Sequence, residues 1–209
     1  MKKRSWAVFL PVFLLAISSV GWAQENSKFS LAPGAGVSLP LGNFADAYNL
    51  GFNLGATLNV NLAGNFYLFG DLRYSFFSPD TKGWGYPANA TISGGQESIF
   101  SIFAGGKYLF PMQGKVKVYG LAGLGLCMVS TSDLTADYTI VTSWYKATVH
   151  EEISFNNSAA DFGLLFGGGL VYKLKPHLDL FGEIRFVNIF TEGESTQMMP
   201  IIIGVLIRL

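Results

Sequence analysis

The side chains that could do chemistry in this sequence are mostly charged residues spaced two positions apart. Asp71 and Arg73 form one such pair, and Glu183 and Arg185 form another. In an extended strand, residues i and i+2 share a face, so each pair sets an acid beside a base. Charged residues at comparable strand positions are Lys107, Lys117, Asp161 and Asp179. An unpaired buried charge costs several kcal/mol, so we expect these eight side chains to form one paired network in a narrow interior.

Nucleophilic catalysis has one candidate location in the sequence. His150 stands beside Glu151 and Glu152, and Ser154 follows closely. A catalytic histidine must reach its serine at ~3 Å and be oriented by an acid, and closeness in sequence does not ensure this geometry. A solvated charge cluster is the simpler interpretation. We predict no enzymatic activity, and no metal or cofactor, since the single cysteine and the absence of a phosphate-binding glycine loop or metal-ligand spacing offer no such site.

The N-terminus has the pattern of an export signal. Residues 2–4 are basic, residues 6–17 form a 12-residue apolar stretch, and small residues precede a cleavage position before Gln24. That stretch is too short to span a bilayer of ~30 Å. The sequence therefore predicts a cleaved signal peptide over 1–23 and a single domain over 24–209.

The composition excludes several classes of protein. Of the 209 residues, 50% are hydrophobic and only 13% are charged, whereas soluble domains carry about 25% charged residues. A disordered chain would show the opposite bias. The formal net charge is zero, so no basic surface for nucleic acid is expected. No apolar run of 18 residues follows the N-terminal stretch, so a membrane-spanning helix is not expected either.

Alternation with a period of two residues runs through the remaining chain. Residues 66–76 place an apolar face against a face that holds Asp71 and Arg73. Such alternation is typical of a strand with one buried or lipid-facing side. Eight segments follow this pattern, at 29–39, 51–62, 66–76, 98–110, 115–127, 160–173, 178–189 and 199–209.

The links between these strands alternate in length, and this alternation predicts the architecture. Tight turns lie near 63–65, 111–114 and 174–177, and the other links are longer. Short turns at one end and long loops at the other are typical of an outer-membrane barrel. Aromatic residues of the apolar face cluster near both strand ends, as in lipid-facing girdles, and they are Phe66, Tyr108, Phe110, Tyr172, Phe52, Tyr74, Phe76, Phe162 and Phe186. We predict an all-β fold, an eight-stranded antiparallel up-and-down transmembrane β-barrel, in preference to a soluble lipocalin-like carrier.

The chain resembles the small outer-membrane barrel family typified by outer membrane protein A (its barrel domain) and outer membrane protein X. Residues 33–44 are similar to the N-terminal hairpin of such porin-like barrels. Gly204, Ile207 and Leu209 resemble the C-terminal signal that the barrel-assembly machinery reads, with Leu209 in place of the usual terminal aromatic. The resemblance implies a location in the bacterial outer membrane, contact with its lipid, and the assembly machinery as a partner during biogenesis.

The long loops carry the aromatic residues from which a role can be inferred. Residues 134–141 and 144–149 are strand-like, and we expect them to extend the fifth and sixth strands as a hairpin above the membrane. Its aromatic residues Tyr138, Trp144 and Tyr145, with Trp84 and Tyr86 of the preceding loop, are candidates for contact with a surface protein. We expect a structural, envelope-stabilising or adhesive role. The alternatives are a narrow channel and a lipid-modifying enzyme.

Overall fold

A computed structural model describes residues 28–81, 91–142, 144–154, 158–191 and 195–209. The predicted signal peptide, Trp84 and Tyr86 lie outside these residues. In chain order the described elements are β1 (Phe29–Leu41), α1 (Asn43–Ala47), β2 (Gly51–Ala63), β3 (Phe66–Phe77), β4 (Thr91–Gly94), β5 (Glu97–Leu109), β6 (Val116–Thr131), β7 (Leu134–Thr142), β8 (Tyr145–Ile153), β9 (Ser158–Lys175), β10 (Leu178–Phe190) and β11 (Ser195–Arg208).

Eight of these strands close into one barrel, which confirms the predicted fold. The order around the barrel is β1-β11-β10-β9-β6-β5-β3-β2, and every neighbouring pair is antiparallel. Both described chain ends lie at the end that carries the short turns, since β1 begins there and β11 ends there. No helix within the described residues is long and apolar enough to cross a membrane.

The two faces of the barrel wall differ as the alternation predicts. Outward side chains such as Phe52, Leu54 and Ile203 are 67%, 67% and 71% exposed, although they are strongly apolar. Inward side chains such as Asn53 and Ser38 are buried. A surface of this kind is unstable in water and stable in hydrocarbon, where closure of the barrel pairs the backbone groups of every strand.

A second sheet accounts for the strand-like runs in the loops. Strands β4, β7 and β8 form a separate three-stranded sheet in the order β4-β7-β8. The predicted hairpin is present, but it does not continue the barrel strands, because β6 ends at Thr131 and β7 begins a new ladder at Leu134. The sheet lies at the long-loop end, and the preceding loop contributes β4 as its third strand.

Glycines in the wall make room for aromatic rings inside the narrow barrel. A Cβ placed on Gly169 would lie 2.6 Å from the Tyr119 hydroxyl oxygen, and one on Gly125 would lie 2.6 Å from the Phe103 ring. An eight-stranded barrel has an interior just wide enough for its side chains, so a bulky ring requires a small residue across from it. Similar contacts pair Phe77 with Gly51, Phe69 with Gly123, and Phe181 with Gly34 and Gly204. The lumen is therefore packed, and many of the 25 glycines serve that packing.

We expect Gly169→Ala to destabilise the barrel. The added methyl group would meet the Tyr119 ring and, at 2.5 Å, the Gly182 carbonyl oxygen. Overpacking of this kind costs about 1–3 kcal/mol of unfolding free energy. Urea unfolding of the refolded protein, followed by its heat-modifiable gel mobility, measures the change. Gly70→Ala is the matched control, because a Cβ there meets nothing within 4 Å, and equal effects of the two substitutions would contradict the packing argument.

Candidate functional site

The centre of the lumen is crossed by ion pairs between opposite strands. β3 and β10 are separated by three strands in each direction around the barrel, so they face each other across the lumen. Arg185 Nη1 on β10 lies 2.8 Å from Asp71 Oδ2 on β3, an ion-pair contact whose geometry falls short of a hydrogen bond. Arg73 Nη2 also contacts Asp71, at 3.2 Å. Asp71 thus sits between two guanidinium groups, one from each side.

The second carboxylate of the centre is held on β10 and reached from β6. Glu183 Oε1 accepts a hydrogen bond from Nε of Arg185, and its Oε2 accepts one from the Tyr119 hydroxyl at 2.6 Å. Arg185 Nη2 also donates to Thr57 Oγ1 at 3.2 Å, and this hydroxyl donates to Asp71 at 2.6 Å. Charge-assisted hydrogen bonds of this kind are about twice as strong as neutral ones. With Arg73, six side chains from four strands thus form one connected cluster.

Neutral groups extend the cluster to a fifth strand. Arg73 Nη1 donates to Asn53 Oδ1 at 2.9 Å, and Asn53 Nδ2 donates to Ser38 Oγ at 2.9 Å. The network therefore reaches β1 as well. Asp71, Arg73, Glu183 and Arg185 are at most 5% exposed, so side chains rather than water fill the lumen at this level. We call these four residues the central charge network.

The other four charged residues of the predicted network lie elsewhere in the barrel. Lys107 is buried and places its ammonium group 3.7 Å from the centre of the Tyr119 ring, which makes a cation–π contact. Asp179 pairs with Arg208, near the short-turn end. Lys117 lies close to that end on β6, and Asp161 lies at the long-loop end of β9. The predicted network omitted Arg208, which reaches Asp179 from the neighbouring strand β11, and Tyr119, which reaches Glu183 from β6, because contacts between strands depend on strand order and stagger.

An apolar layer closes the lumen on the long-loop side of the network. Its members Phe77, Ile99, Val187, Ile189 and Met198 are at most 2% exposed. Helix α1 adds Phe44, whose ring lies 4.8 Å from Tyr48 and 4.9 Å edge-on from Phe77. The first long loop therefore folds across the mouth of the barrel instead of leaving it open.

The histidine considered for catalysis lies in the β4-β7-β8 sheet. We call it the extracellular sheet, because the long loops of outer-membrane barrels lie on the extracellular side. Asp137 and His150 are directly opposite in the β7–β8 ladder, and His150 Nδ1 lies 2.5 Å from Asp137 Oδ1. This carboxylate raises the pKa of His150, because it accepts a hydrogen bond from the protonated ring and attracts its charge. Ser154 lies four residues further along the strand direction, or ~13 Å at about 3.3 Å per residue, well beyond hydrogen-bond reach. Within the described residues, His150 therefore has an acidic partner, but Ser154 is not within reach to act as its nucleophile.

The predicted loop aromatics occupy different positions in this sheet. Trp144 lies in the turn between β7 and β8 and is 96% exposed. Tyr138 lies within β7 and is half-buried, and Tyr145 opens β8.

The three residues of the predicted assembly signal lie on or beside the closing strand. Gly204 faces the lumen, where a Cβ would lie 2.2 Å from the Pro33 carbonyl oxygen. Ile207 pairs with Leu31, and the backbone N–H of Leu209 donates to the Phe29 carbonyl at 3.0 Å. These contacts give each position a structural function in barrel closure.

Comparisons with known proteins agree with this architecture. Residues 9–207 match the family described as "Outer membrane protein beta-barrel domain". The crystal structure of Neisserial surface protein A is 18% identical with a TM-score of 0.58, covering 88% of this chain and 100% of that one. A major outer membrane protein from Thermus thermophilus is 12% identical with a TM-score of 0.51, covering 87% and 98%. At these identities the likeness concerns the fold. No curated protein matches the chain.

Removing the central guanidinium should destabilise the barrel strongly. Arg185→Met leaves Glu183 without its cation and Asp71 with only one, and breaking a buried ion pair costs about 3–5 kcal/mol. Urea unfolding in detergent micelles measures the loss. Lys117→Met is the control, because no ion pair of Lys117 is found among the described side chains, and we expect a change within ~0.5 kcal/mol. Equal losses in the two variants would contradict the role assigned to the network.

The raised pKa of His150 should make the extracellular sheet sensitive to pH. Because the pKa of His150 is raised in the folded protein, its pairing with Asp137 stabilises the sheet fully at pH values below the ordinary histidine pKa of about 6.5. This stabilisation disappears as the pH rises through the pKa that His150 has in the folded protein. The ring-proton resonances of His150 should therefore titrate above pH 6.5, and amide exchange in β7 and β8 should report more frequent opening at alkaline pH. Asp137→Asn should return the pKa towards its ordinary value, and an unchanged titration in that variant would refute the pairing.

Proposed function

Since the chain belongs to the outer membrane protein β-barrel domain family, we propose that it is a non-enzymatic anchor in the bacterial outer membrane that presents its extracellular sheet to another protein. The partner contributes an extended segment that pairs with β8. The observation that carries the proposal is the position of β8, which pairs with β7 and with no other described strand.

The backbone of β8 provides the binding groups. It is nine residues long, and half of the N–H and C=O groups of an edge strand point away from the sheet. Such an edge is a template for an added strand unless it is short, interrupted by proline or covered. β8 contains no proline. Strand addition supplies affinity through main-chain hydrogen bonds and specificity through the alternating side chains.

The side chains of the sheet indicate what kind of segment would pair. Glu151 and Glu152 are exposed on β8, and Asp137 is exposed on β7. This acidic character favours a partner strand with lysine or arginine, because opposite charges on neighbouring strands stabilise pairing. Trp144 at the tip adds a large exposed ring of the type that dominates binding energy at protein interfaces.

The packed lumen supports an anchoring role over transport. The central charge network and the apolar layer above it fill the interior with side chains that are almost fully buried. Eight strands leave little room for water beside such side chains. A wall braced from inside keeps the extracellular sheet at a fixed position on the membrane, and this favours a binding surface that is organised before its partner arrives.

The route of the chain to the membrane completes the proposal. Residues 1–23 direct export and are removed, and the barrel-assembly machinery reads Gly204, Ile207 and Leu209 during insertion. Support comes from the basic and apolar N-terminal pattern and from the position of all three residues at the closing strand.

Attachment by a heterologous diderm host that displays the protein tests the proposed role. The host should attach to surfaces coated with an extended, lysine-rich peptide more strongly than the empty host does. Thr148→Pro and Val149→Pro each remove one N–H of β8, and successive N–H groups point to opposite edges. One of the two prolines therefore removes an N–H from the free edge and leaves the β7–β8 ladder intact, and protection from amide exchange identifies which variant this is. That variant should lose at least tenfold in attachment. Trp144→Ala should also weaken attachment.

The controls separate the proposal from its alternatives. Folding and surface display are checked by heat-modifiable mobility and by protease cleavage confined to the loops. Attachment that persists in both proline variants, or that equals the empty host, contradicts strand addition. A lipid mass change that disappears in His150→Ala would indicate a lipid-modifying enzyme. Conductance abolished by Arg73→Met would indicate a channel.

A further inference from the structure

The periplasmic end of the barrel contains a cavity that is strongly basic. Its volume is about 560 Å³, and it opens at the end with the short turns. Five cationic side chains line it against a single carboxylate, that of Asp179, and the five are Lys28, Lys107, Lys117, Lys173 and Arg208. We propose that this cavity, here called the basic vestibule, binds a small anion that carries a phosphate group.

The deepest cation of the vestibule forms no ion pair with any described side chain. Lys107 is 7% exposed, and the contact of its ammonium group is with the Tyr119 ring at 3.7 Å. Burying an ammonium group without a carboxylate in contact costs several kcal/mol of desolvation, which the cation–π contact and the more distant charge of Glu183 offset only in part. A bound anion would supply the missing charge.

The one carboxylate of the vestibule does not neutralise the lysines. Asp179 forms its ion pair with Arg208, which also donates to the Pro176 carbonyl at 2.8 Å. In the part of the chain that is described, Lys28, Lys117 and Lys173 form no ion pair within 4 Å. Several like charges around one cavity repel one another, and a multivalent anion relieves this repulsion.

A neutral polar group in the vestibule wall also lacks a partner. Asn59 is 2% exposed, and neither Nδ2 nor Oδ1 of its amide has a hydrogen-bond partner among the described atoms. Buried amides in folded proteins are nearly always hydrogen-bonded, so an unpaired one requires an explanation. A phosphate oxygen in the vestibule would accept from Nδ2, and a hydroxyl of the bound molecule would donate to Oδ1.

The shape of the vestibule limits the occupant to a small molecule. Lys107 forms its inner end, the Tyr119 ring lies against the Lys107 ammonium group, and the central charge network fills the lumen beyond them. An anion therefore enters and leaves on the same side. Phosphate groups reach this mouth either as free solutes or on the headgroups of the inner-leaflet lipids, and the chemistry of recognition is the same in both cases.

Calorimetric titration with pyrophosphate tests the site directly. The protein is held in a maltoside detergent, which carries no phosphate. We expect saturable binding with a stoichiometry of one, weakening steeply with salt, and an upward shift of the urea midpoint. Lys107→Met should abolish binding yet leave the barrel at least as stable, because it removes an unpaired buried charge. Lys117→Gln with Lys173→Gln should weaken binding about tenfold or more.

Neighbouring lysines provide the matched control. Lys115 directly precedes β6 and Lys175 ends β9, so each is two residues from a vestibule lysine, and neither lines the vestibule. Lys115→Gln with Lys175→Gln should therefore change the affinity less than about twofold. Repeating the titration in nanodiscs with and without phosphatidylglycerol identifies the source, since competition by the lipid indicates a headgroup. Absence of pyrophosphate binding, or binding that survives Lys107→Met, would overturn the proposal.

Discussion

Pairing of β1 with β11 is the constraint on which the rest of the structure depends. This last ladder, from Ser30 opposite Arg208 to Leu41 opposite Gln197, leaves no open edge in the barrel wall. A wall that crosses hydrocarbon must satisfy its backbone groups within itself, so closure is obligatory. Closure with eight strands then fixes a narrow interior, and both the glycine-backed aromatic rings and the central charge network are ways of filling it.

The central network also explains a repetition in the sequence. Residues 68–74 read Leu-Phe-Gly-Asp-Leu-Arg-Tyr, and residues 180–186 read Leu-Phe-Gly-Glu-Ile-Arg-Phe. The two segments lie on β3 and β10, which face each other, and Arg185 of one reaches Asp71 of the other. Each strand needs the same sequence for the same reasons: an outward apolar residue, an inward aromatic ring, and an acid beside an arginine in the lumen.

The sequence predicts which face of a strand a side chain occupies, but it does not predict which side chains on other strands it contacts. Inward and outward positions follow a strict period of two, so the facing of Asp71, Arg73, Glu183 and Arg185 was predictable from their neighbours alone. Their partners were not, because contacts such as Tyr119 with Glu183 join residues 64 positions apart and depend on the stagger of the strands. The pairing of β4 with β7 escaped prediction for the same reason, since four residues carry too little pattern.

The filled lumen has a consequence for the two ends of the molecule. The extracellular sheet exposes Asp137, Glu151 and Glu152, whereas the vestibule gathers lysines at the opposite mouth. Between them lie the apolar layer and the central charge network, whose members are close-packed and mutually paired. A packed interior of this kind offers no second arrangement for a bound ligand to favour, and coupling between sites requires one. Binding at one mouth should therefore leave the affinity of the other unchanged, so the proposed edge of β8 and the proposed basic vestibule should act as independent sites on one barrel.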